Sequence, residues 1–82
     1  MILESRIKQT ALMVAVDICL KKKLNNAPAR CARNLTELGC MAFPGRFSAK
    51  ERDDFNHQIL ELCKTNDTDG ARKLFIDTFL SE

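Results

Sequence analysis

The stretch "ALMVAVDICL", residues 11–20, is apolar almost all the way round when coiled as a helix, and that limits the folds open to this chain. A surface helix needs one apolar stripe, whereas a helix apolar on two sides lies between layers or against another chain. The periodicity predicts a helix from about Leu3 to Leu24 with two stripes. Leu3, Ile7, Ala11, Val14 and Ile18 form the first, at steps of three or four residues; Leu12, Val16, Cys19 and Leu20 form the second. Three short helices can cover most of such a rod but not clearly all of it. The second stripe, with Met13, is therefore read as surplus surface offered to a partner. Lys21, Lys22 and Lys23 close the helix, as cations at the negative end of its dipole.

The rest of the chain continues in helical period. "NNAP" punctuates, with Asn25 or Asn26 as cap and Pro28 in the first turn of a second helix. Cys31, Leu35, Leu38 and Ala42 form its inner face, and Pro44 stops it, because the residue before proline avoids the helical region. A third helix starts at the S-x-x-E capping box of Ser48 and Glu51, with Phe47 at the staple position. Phe55, Ile59, Leu62 and Cys63 line it. "NDTDG" is a turn in which Asp67 or Thr68 caps a fourth helix, which buries Ala71, Leu74, Phe75, Thr78 and Phe79. No alternating run bounded by turn residues predicts a strand. The expected fold is all-α, a small four-helix bundle-like domain over residues 1–82 with a long N-terminal helix.

The side chains that carry chemistry are sparse. Structural zinc takes its ligands in close pairs, and Cys19, Cys31, Cys40 and Cys63 contain no C-x2-C. Three of them fall on apolar stripes, where a thiol behaves as a small hydrophobe. His57, the single histidine, flanks the stripe of the third helix and lies round the cylinder from Cys63, which makes it a rim residue and not half of a catalytic pair. Asp53 and Asp54 are adjacent, so on a helix they diverge by about 100° and cannot converge on one atom. Phosphate loops and nucleophile elbows are missing. The expectation is a protein without catalytic residues, cofactor, metal or small-molecule substrate.

Charge is unevenly spread. Residues 1–46 hold eight Lys/Arg and three Asp/Glu, while residues 47–82 hold five and eight. Lys21, Lys22, Lys23, Arg30 and Arg33 cluster at one helix–helix corner and could meet phosphate oxygens. Against a nucleic-acid role stand a pI of about 8.4, the local explanation of the lysines, and the lack of interleaved aromatics for base stacking. A helix-turn-helix over residues 28–65 is disfavoured by the long "FPGRFS" link. The N-terminus lacks the order of a secretory signal, its lysines following the apolar run, which itself is too short to span a bilayer. The chain thus predicts a cytoplasmic regulator or adaptor that binds another protein, a second copy being the simplest form. Leu12, Met13, Val16 and Leu20 are its expected apolar contact and the basic corner its rim. Nucleic-acid binding through the same corner is the alternative.

Overall fold

Four helices follow one another in the computed structural model of the chain, which describes residues 2–23 and 27–80, with side chains over 6–21 and 27–80. Helix α1 spans Ile2–Lys23, α2 Pro28–Ala42, α3 Ala49–Lys64 and α4 Thr68–Phe75; a π-helical turn, Ile76–Leu80, continues α4. No strand occurs among the described residues. The architecture is all-α and bundle-like, as the apolar spacing predicts. No described helix is long and apolar enough to cross a membrane.

The helix boundaries follow local chemistry. Ser48 Oγ accepts from the Glu51 N–H at 3.1 Å, and Glu51 Oε1 accepts from the Ser48 N–H at 2.9 Å, so the capping box is complete. Asp67 caps α4 by accepting from the Gly70 N–H at 2.9 Å. Helix α2 departs from expectation: its N-cap is Ala27, with no side-chain hydrogen bond, and Pro28 begins the helix. Asn25 and Asn26 lie outside the described residues. Pro tolerates that start because its missing N–H would be one of the unpaired donors of a first turn. Gly45 takes φ 77° in the turn after Pro44, a conformation that favours glycine.

Successive helices pack antiparallel, α1 on α2, α2 on α3, α3 on α4, and α4 closes back on α1. Leu12, Val16 and Leu20 from α1 meet Cys31, Ala32 and Leu35 from α2, Phe55, Ile59 and Cys63 from α3, and Ala71, Phe75 and Phe79 from the last segment. The phenylalanines form one aromatic group. Phe79 stands edge-on to Phe47 and Phe55 at 4.9 and 4.8 Å between centroids, and Phe75 lies 4.9 Å from Phe79. Such pairs add about 0.5–1.5 kcal/mol beyond their buried area. The π turn has a sequence consequence: successive four-residue steps drift round an α-helix, and a wider turn takes the drift back. Ala71, Phe75 and Phe79 are all buried. Where Phe79 meets α2, it meets Gly39; a Cβ there would collide with the ring. The mid-helix glycine therefore has a packing reason.

Buried polar groups are satisfied. The Thr36 hydroxyl donates to the Ala32 carbonyl at 2.8 Å and lies 3.2 Å from the Asn56 amide oxygen, tying α2 to α3. No described buried side-chain nitrogen or oxygen lacks a partner.

Candidate protein-binding site

Helix α1 decides the site, because its two stripes have opposite fates. Leu12, Val16 and Leu20 are buried, Val16 with no exposed surface, and Met13 and Cys19 pack against the same core. Of the expected contact residues, Leu12, Val16 and Leu20 are thus interior and Met13 half-buried, which corrects the sequence reading. Ile7 is instead 62% exposed, Val14 54% and Ile18 50%, with Ala11 exposed between them. The surplus predicted for the rod is present, but on its other side. α2 and α4 close over Leu12, Val16 and Leu20. The two faces are nearly equal in hydropathy, so nothing within the helix ranks them.

The exposed stripe is framed by charge. Arg6, Lys8 and Lys21 are exposed along α1. Asp17, the one acid on this helix whose side chain is described, is engaged by Arg72 of α4 at 3.1 Å. Both partners are nearly half-exposed, so the pair is worth at most about 1 kcal/mol. It nevertheless removes an acid from the frame. A shallow apolar depression lined by Arg6, Ile7, Thr10 and Ala11 marks the N-terminal half of the face.

Of the expected basic corner, the structure describes the side chains of Lys21, Arg30 and Arg33, and all three are exposed. Arg33 lines a polar groove between α2 and α3, together with Thr36, Glu37, Arg52, Asp53 and Asn56. The side chains of Lys22 and Lys23 lie outside the described residues. At the opposite end of α1 stands a group that the linear sequence does not reveal. Lys8 Nζ sits 4.7 Å from the Phe43 ring centre, and the Arg46 guanidinium lies 5.2 Å from Phe43 and 5.7 Å from Phe47. Residues 35 positions apart in sequence, Lys8 and Phe43, meet because α1 and α2 run antiparallel. An aromatic is therefore interleaved with cations after all, in space though not along the chain.

The thiols also come together. Cys19 Sγ and Cys31 Sγ are 3.7 Å apart across the α1–α2 contact, and the Cys31 thiol lies 3.9 Å from the Cys19 carbonyl, to which it donates. Cys63, buried on α3, touches Cys31, and burial pushes its pKa upward despite that hydrogen bond. No group of described His, Cys, Asp or Glu side chains is arranged to hold a metal ion. His57 is exposed on α3, at the rim. Comparison with known proteins finds no matching family model, no matching curated sequence and no matching solved structure.

Proposed function

We propose that this protein is a small non-catalytic regulator or adaptor of the cytoplasm that binds another protein through the outward face of α1, with Ile7, Ala11, Val14 and Ile18 as the apolar contact. The observation that carries this reading is the exposure of three β-branched aliphatics in one line, on the side of α1 opposite the side that fills the core. Contiguous apolar surface of this kind marks a contact site. Their spacing of seven and four residues is that of helix-against-helix anchors. Because the frame is cationic, the complementary surface is an apolar groove or helix flanked by acids, and charge of opposite sign would set orientation and encounter rate.

A second reading, a helical nucleic-acid-binding regulator, draws support from Lys8 and Arg46 gathered at Phe43, cations and an aromatic in one place as phosphate and base contacts require. One pair of variants separates the two. Val14→Asp should abolish capture of a specific protein from host extract, with thermal unfolding unchanged. Arg46→Glu should leave that capture intact. If capture is nuclease-sensitive and lost in Arg46→Glu but not in Val14→Asp, the nucleic-acid reading replaces the first. Molar mass in solution reads out a second copy directly: a dimer that Val14→Asp dissolves makes this chain its own partner.

A further inference from the structure

We infer that Cys19 and Cys31 are a peroxide-responsive dithiol that closes to a disulfide joining α1 to α2. The argument is geometric. The two sulfurs already touch, at 3.7 Å. A disulfide is about 2.05 Å long, so closure brings them about 1.7 Å closer. Cys19 lies on the final turns of α1, at Ile2–Lys23.

Access orders the chemistry. Cys19 and Cys40 are half-buried, whereas Cys31 and Cys63 are wholly buried. Within the touching pair, an oxidant in solution therefore reaches Cys19 before Cys31. In the first step the Cys19 thiolate attacks a hydroperoxide. The O–O bond breaks, the sulfur becomes a sulfenic acid, and the alcohol, or water from hydrogen peroxide, departs. In the second step Cys31 sulfur attacks the Cys19 sulfur. The S–S bond forms, the sulfenic oxygen leaves, and with the Cys31 proton it makes water. Two thiol hydrogens and two electrons pass to one peroxide. Cys63 also lies against Cys31 and is wholly buried, so a Cys31–Cys63 link is the competing outcome. Cys40 lies nine residues from Cys31 on α2, about 13 Å along the helix axis at 1.5 Å per residue, and serves as the internal control.

The test is a titration of the native chain with hydrogen peroxide, followed by intact-mass measurement and peptide mapping. The expected result is a loss of two hydrogens and a linked pair of peptides carrying Cys19 and Cys31, reversed by dithiothreitol. The oxidised form should also unfold at higher denaturant than the reduced form, because a cross-link constrains the unfolded chain. Cys31→Ser should stop at the sulfenic acid, trapped on Cys19 by a diketone probe, and Cys63→Ala should still form the link. A Cys31–Cys63 link, disulfides between chains, or oxidation of Cys40 before any internal bond forms would each overturn the assignment. The mapping of the wild-type chain decides these without depending on how any variant folds.

Discussion

Gly39 and Glu51 show how much single residues carry in this fold. Alanine is a better helix former than glycine by about 1 kcal/mol, so propensity alone would make Gly39→Ala stabilising. The Phe79 ring occupies the place of the new methyl group, and overpacking of this kind costs about 1–3 kcal/mol. The expected net result is a lower urea midpoint for Gly39→Ala, partly restored when Phe79→Leu is added. At Glu51, the Ser48 backbone N–H and then its side chain hold the carboxyl below its ordinary value. A carboxyl depressed in the folded state stabilises above its unfolded pKa, and that contribution is lost as pH falls through the folded value. Wild-type stability should therefore fall as pH drops below 4.5, the ordinary value for this group. Glu51→Gln should start lower at neutral pH and lose less over the same window; parallel urea midpoints for the two would contradict the cap. Both sites differ in legibility. The capping box is a local pattern that can be read from four letters. The role of Gly39 depends on a ring 40 residues away, and no local pattern announces it.

At the scale of elements, α1 is the helix on which sequence and structure part. Its limits, its length and its double apolarity are visible in the residues; which face turns inward is not. Two neighbours on α1 give a direct check. Leu20 is buried and Ile18 is half-exposed. Leu20→Ala should cost about 2–5 kcal/mol. Ile18→Ala should stay within about 0.5 kcal/mol of wild type, as surface substitutions do. Chemical denaturation of the two variants measures both, and the reverse order would return the sequence reading of Leu12, Val16 and Leu20 as the outer face. The other helices each have one dominant apolar side, and there the spacing places Cys31 and Leu35, Phe55 and Ile59, and Ala71 and Phe75 correctly in the core. The π turn at Ile76–Leu80 accompanies the four-residue spacing of Ala71, Phe75 and Phe79, which it keeps on the buried side.

At the scale of the whole molecule, one side of a long helix is left uncovered from Ile7 to Ile18, a span that calls for a macromolecular partner. By itself the sequence determined the all-α class, the number and order of the helices, the α3 cap and the existence of more apolar surface on α1 than one core needs. These are properties of spacing and of local hydrogen bonding, and spacing is written along the chain. Only the tertiary structure decided which stripe of α1 is sealed and which is offered. It alone decided that Lys8 and Arg46 meet Phe43, and that Cys19, Cys31 and Cys63 gather. The reason is physical: two stripes of equal hydropathy gain about equally from leaving water, so the choice falls to the shape of the surface that α2 and α4 present, and contacts between distant residues exist only after the helices have chosen their sides.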